Sequence, residues 1–183
     1  DYAVTIFTMI GISLPTYFFA AIIVKVFSVE FGWFPSTGLI SAGETYTKEN
    51  LDSLDIKNKT ISNCTIDYCN MINSDYENTY FEKVTFNNCD LSNTKFTNCN
   101  FKETEFNNCK LVGTNINNCH VTKLKISNSI CKYINVVDTK TKELTIQESD
   151  FTESTFYNIE LPKTKLEKNN FKSSEFYQTR LSG

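Results

Sequence analysis

Glycine and proline are scarce in this 183-residue chain, six and three respectively, which excludes collagen-like repeats and strongly disordered compositions. Histidine occurs once, at His120, and no two of the seven cysteines stand in a C-x-x-C pair, so the usual zinc-binding spacings are missing. There is no phosphate-cradling Gly-rich loop, no G-x-S-x-G and no H-E-x-x-H, and the expectation is a protein without catalytic residues, metal or cofactor. Neither sign of charge dominates. Eighteen basic and 21 acidic groups leave a net charge of -3, and with it no electrostatic footprint for nucleic acid.

The charge that is present is unevenly placed. Residues 1–50 hold six charged groups and none from Tyr2 to Val24, whereas 51–183 hold seventeen acids and sixteen bases. A 23-residue uncharged run rich in Ile, Phe, Ala and Val would span about 34 Å as a helix, enough to cross a bilayer. It has no basic n-region of the kind a signal peptide carries. Pro15 falls mid-span, where it removes one backbone hydrogen bond and is expected to kink the helix. Gly32, Trp33, Phe34 and Pro35 form an aromatic exit of the kind that settles among lipid headgroups. The expected organisation is a membrane helix over 1–35, a Gly/Ser/Thr-containing linker over 36–50, and a separate domain over 51–183.

Asp1-Tyr2, the run Gly11-Ile12-Ser13-Leu14-Pro15-Thr16-Tyr17-Phe18, and Gly32-Trp33-Phe34-Pro35 together resemble the third membrane helix of inner-subunit permeases of the oligopeptide, dipeptide and nickel ABC importers. The resemblance covers about 40 residues and lacks the family's other helices and the coupling loop that docks its ATPase. It implies a piece of a peptide-transport permease in the cell membrane, multi-pass in its full length. Its partners would be membrane lipid, the second permease subunit, ATPase subunits and a substrate-binding protein. Whatever follows residue 35 would lie on the extracytoplasmic side.

From Leu51 onward the chain repeats every five residues. The central positions run Leu51, Ile56, Ile61, Ile66, Met71, Tyr76, Phe81, Phe86, Leu91, Phe96, Phe101, Phe106, Leu111, Ile116, Val121, Ile126, Cys131, Val136, Thr141, Ile146 and on to Leu181, and only Thr141 interrupts the apolar series. Neither a 3.6-residue helix nor an alternating strand keeps every fifth residue inside for so long. A chain that turns a corner every five residues does. Two positions before each centre the residue is small, as at Cys64, Cys69, Ser74, Thr79, Val84, Cys89, Thr94, Cys99, Thr104, Cys109, Thr114 and Cys119.

This pattern resembles the pentapeptide-repeat family. The resemblance implies an all-β, right-handed quadrilateral β-helix with twenty residues per coil, preceded here by the one kinked transmembrane α-helix. Phe81, Phe101 and Val121 then share one inner column and Phe86, Phe106 and Ile126 another. With Phe96, Leu111 and Ile116 these form the expected structural core, each buried side chain contributing about 1.5–3 kcal/mol before entropy. Asn78, Asn98 and Asn118, and Asn88, Asn108 and Asn128, are expected to stack as amide ladders. Thr141, with Ile134 and Leu144 at small-residue positions, predicts a bulge or irregular side between Cys131 and Leu144. Stacked cysteines stand near 5 Å apart at Cα with parallel side chains, so Cys89, Cys99, Cys109 and Cys119 are expected to be free, shielded and slow to react.

Two functions fit this organisation. The first is a transport component, an ABC permease whose external loop carries the repeat rod. The alternative is a membrane-anchored interaction or structural module with no transport role. A DNA mimic, as in some soluble proteins of the repeat family, requires a strongly acidic rod, and seventeen acids against sixteen bases do not supply one.

Overall fold

The computed structural model describes residues 45–180, and the expected membrane helix, its kink at Pro15 and the linker as far as residue 44 lie outside the described residues. Within them the chain is an all-β solenoid of nearly seven turns. It has seventeen strands, fifteen of three residues and two of eight, Thr60–Asp67 and Tyr80–Asn87. Every strand pairs in parallel with the residues twenty positions away: Thr65 with Thr85, Phe86 with Phe106, Phe96 with Ile116. Twenty residues per turn are therefore a property of the hydrogen-bond ladder itself.

Corners explain how a strand can last only three residues. The residue two after each centre has φ between 49° and 61°, from Lys48 to Gln178, with Gly113 at 68°. Four such left-handed residues per turn bend the chain four times and make the coil four-sided. Asparagine holds eleven of these corners, because its short amide tolerates this conformation better than other side chains with a Cβ. At each corner the N–H reaches forward to the next turn, as from Asn78 to Thr97 C=O at 3.0 Å, and the N–H before the next centre reaches back, as from Lys95 to Ser74 C=O at 2.8 Å.

We number the faces in chain order by their centres: face 1 from Tyr46, face 2 from Leu51, face 3 from Ile56 and face 4 from Ile61. Face 2 is closed by β-turns, such as Thr94 N–H to Leu91 C=O at 3.2 Å, with Asn93 at the position that needs positive φ. The coil takes in Thr45–Asn50, which the sequence reading assigns to the linker. Tyr46, five residues before Leu51, packs against the core, and Thr45–Thr47 pair with Thr65–Asp67.

The interior is a set of ring columns. Phe81 stacks on Phe101 at 5.0 Å, Phe86 on Phe106 at 4.8 Å and Tyr76 on Phe96 at 5.2 Å, with interplanar angles of 13° or less. Neighbouring columns meet edge-on, as Phe81 meets Phe96. Such pairs contribute about 0.5–1.5 kcal/mol each beyond burial. Phe81, Phe86, Phe96, Phe101, Phe106 and Leu111 are buried, but Ile116 is only partly so. Below Phe96 the columns narrow to Ile116, Val121, Val136 and Thr141, and an apolar cavity of about 60 Å³ opens among them and Leu144 and Phe151.

The irregular side expected between Cys131 and Leu144 does not form. The corners recur at Tyr133, Asp138 and Glu143, and Val121 pairs with Thr141 in unbroken register. Volume is redistributed instead: Leu124, Ile134 and Leu144 fill the interior from positions held elsewhere by small residues, while the neighbouring centres shrink to Val and Thr.

Candidate interaction surface

The small position is a donor position. Thr79, Thr94, Thr104 and Thr114 each give their hydroxyl hydrogen to the carbonyl of the centre residue 23 positions earlier, at 3.0–3.3 Å. Cys89, Cys99, Cys109 and Cys119 do the same with their thiols, to Ile66, Tyr76, Phe86 and Phe96, at 3.2–3.4 Å. Size alone suggested this position from sequence. The alternation of Thr, Ser and Cys was the further signal, since all three can donate.

All seven cysteines are free and buried. Burial raises the Cys64 thiol to about 11 and pushes Cys131 up as well. Cys89 and Cys119 are pushed up by hydrogen bonding to the thiol one turn away and then by burial. Their partners Cys109 and Cys99 are drawn down by that same contact, against burial. Among the described residues no group of His, Cys, Asp and Glu side chains is arranged to hold a metal. His120 is exposed.

Outward, the surface is built of ladders with the same interval. Amides link Asn118 to Asn98 at 2.8 Å, Asn107 to Asn87 at 3.2 Å, and Asn108 to Asn88, which itself donates to Asp67. Ion pairs join Lys102 to Glu82, Lys110 to Asp90, Lys123 to Glu103 and Lys168 to Glu148. The Lys102 ammonium holds the Glu82 carboxyl below its usual range. These pairs are exposed and each adds little to stability.

One seam departs from the regular pattern. Face 4 runs as strand through His120–Thr122 and Lys140–Lys142, but its last described turn, Leu161 to Thr164, bends instead. Pro162 causes this, since its fixed φ suits the second residue of a turn whose third, Lys163, has φ 51°. At that corner the ladder stretches: Glu143 N–H lies 3.4 Å from Pro162 C=O, against 2.8 Å for Lys123 to Lys142 one turn earlier. The Thr164 hydroxyl, which at a regular small position would reach a carbonyl, is buried without a partner. A groove of about 380 Å³ lies along the corner, lined by Lys123, Leu124, Lys125, Glu143, Thr145, Lys163 and Lys165. Sequence reasoning missed these lysines, although the twenty-residue interval places Lys123 with Lys163 and Lys125 with Lys165 in two columns.

Comparison with known proteins places the repeat. Residues 79–156 match the family described as pentapeptide repeat region. No curated protein sequence matches the chain. Among solved structures, similarity is found to full-length QnrB1, a plasmid-mediated fluoroquinolone resistance protein, at 14% identity over 74% of this chain and 92% of that one, TM-score 0.35. A pentapeptide repeat protein, Rfr23, from the cyanobacterium Cyanothece 51142 is similar at 12% identity, over 75% of this chain and 91% of that one, TM-score 0.31. HetL, involved in heterocyst differentiation regulation in Nostoc sp. strain PCC 7120, is similar at 10% identity, over 81% and 91%, TM-score 0.24.

Proposed function

We propose that this protein, a pentapeptide-repeat protein over residues 79–156, is a non-catalytic interaction module whose outer faces bind another protein while residues 1–35 hold it at a membrane. The observation that carries the reading is the segregation of its chemistry. All seven thiols and the Tyr76 ring are sealed inside, and the surface presents amide and ion-pair ladders on a stiff frame. A surface of that kind positions side chains for recognition, which supports the reading. The test is a photo-crosslinking amino acid placed at outward positions of each face, such as Thr97, Asn108 and Thr145, in cells that make the full protein. Capture of one protein from one face supports the module. Absence of any crosslink from all four faces refutes it.

A second reading, that the rod is the extracytoplasmic part of a peptide-type ABC permease, is favoured by the sequence of residues 1–40. Among the described residues no helix is long and apolar enough to cross a membrane, so this reading stands on the uncharged run and its Gly-x-x-x-Pro break alone. Peptide uptake measured before and after excision of residues 51–181 tests it. Unchanged uptake and unchanged binding-protein affinity would leave the rod without a transport role, and labelling of the rod by an impermeant reagent only after lysis would place it on the other side of the membrane.

A further inference from the structure

The groove at the seam between faces 4 and 1 gathers four lysines around one carboxylate. Lys125, Lys163 and Lys165 enter no ion pair among the described residues, nor does Glu143, and only Lys123 has a carboxylate partner, Glu103. Lys83, Glu103, Lys123, Glu143 and Lys163 alternate in sign down this corner, yet the alternation closes into a contact at Lys123 and Glu103 alone.

We propose that this groove binds an acidic segment of a partner protein in which two carboxylates flank one basic residue. The inference rests on the reading of the chain as an interaction module and names the partner's chemistry. Two lysine pairs, Lys123 with Lys125 and Lys163 with Lys165, lie two turns apart, about 10 Å at the spacing of neighbouring strands. An extended peptide advances about 3.3 Å per residue, so acidic residues three apart in sequence match that interval. Glu143 lies between the lysine pairs and requires a cation between the two carboxylates. A nucleic acid strand has no such cation and would meet Glu143 with phosphate alone. Recognition of its phosphates is served best by the guanidinium fork, and the chain's one arginine, Arg180, is not in the groove.

The experiment is an NMR titration of the full chain in a neutral detergent with the peptide Gly-Glu-Lys-Ala-Glu-Gly. Its comparators are the same peptide with alanine for lysine, a peptide of reversed charge, and a twelve-residue oligothymidine. Amide shifts should concentrate at 122–125, 143–145 and 163–165 and weaken as salt is raised. Lys163→Gln with Lys165→Gln should weaken binding at least fivefold, whereas Lys95→Gln, an exposed lysine on face 3, should leave it unchanged. Glu143→Gln should abolish the preference for the lysine-containing peptide over its alanine analogue. Circular dichroism establishes that each variant is folded. Shifts centred on another face would overturn the groove and leave the interaction module standing. No shifts at all, or tighter binding of the oligothymidine, would overturn the proposal outright.

Discussion

Among the described residues Tyr76 is the one fully buried ring that carries a polar atom, and its hydroxyl is buried without a partner. Ser74, two residues earlier, already donates to Leu51 C=O and accepts from Leu54 N–H, each at 3.2 Å. Burial accordingly raises the Tyr76 hydroxyl well above its usual range, with Ser74 pulling back only in part. The ring itself is well placed, stacked on Phe96 and edge-on to Phe81 at 5.5 Å. An unmade buried hydrogen bond costs about 1–3 kcal/mol, and phenylalanine removes that cost while keeping every ring contact. Tyr76→Phe should therefore stabilise the fold by about 1–2 kcal/mol, raising the urea midpoint with unchanged slope and the Tm by about 3–6 °C. Tyr76→Leu, which also removes the ring, should instead destabilise. A lower midpoint for Tyr76→Phe, matched by a similar loss for Ser74→Ala, would show that the hydroxyl is bonded to Ser74 and that the reasoning is wrong.

Ile116→Phe would extend the Tyr76 and Phe96 column into the cavity of about 60 Å³. At roughly 24 cal/mol per Å³ the gain is about 1 kcal/mol, read as a higher thermal midpoint. Asn98, at φ 54° and accepting from Asn118, should tolerate glycine but lose about 1–2 kcal/mol as valine, which denaturant titration would register. The Cys64 thiol, ordinarily ionising at 9.0 and raised to about 11, is neutral in the fold while it would ionise in the unfolded chain. Its contribution to stability is fully present below pH 9 and declines as pH rises from about 9 to 11, so the melting temperature should fall across that window and a Cys64→Ser variant should show less of the decline.

Much of the interior was legible because burial every fifth residue leaves a pattern no helix or flat strand produces. Thr141 and Leu144 were read as defects because the period was judged one position at a time. Packing is settled by the whole layer, and a large residue at the small position compensates a small one at the centre. The start at Tyr46 was missed for a related reason: its polar neighbours hid a centre that the register alone would have found. The groove was not legible. Its lysines are ordinary surface residues in sequence, and what sets them apart is the groove that three adjacent turns form together.

The donor bonds from small positions such as Thr94 and Cys99 reach back 23 residues and each strand pairs at twenty, so the chain measures itself against its own previous turn. Length in this molecule is therefore quantised. An insertion of five residues keeps every centre inside but rotates all that follows by a quarter turn, carrying one face's side chains onto the next and breaking every ion-pair and amide column at the junction. An insertion of twenty restores the columns and only lengthens the rod. A number that is not a multiple of five takes the centres out of step and turns outward positions into the core. The faces can thus drift in sequence, residue by residue, with little constraint from folding, while the spacing between them is held to whole turns.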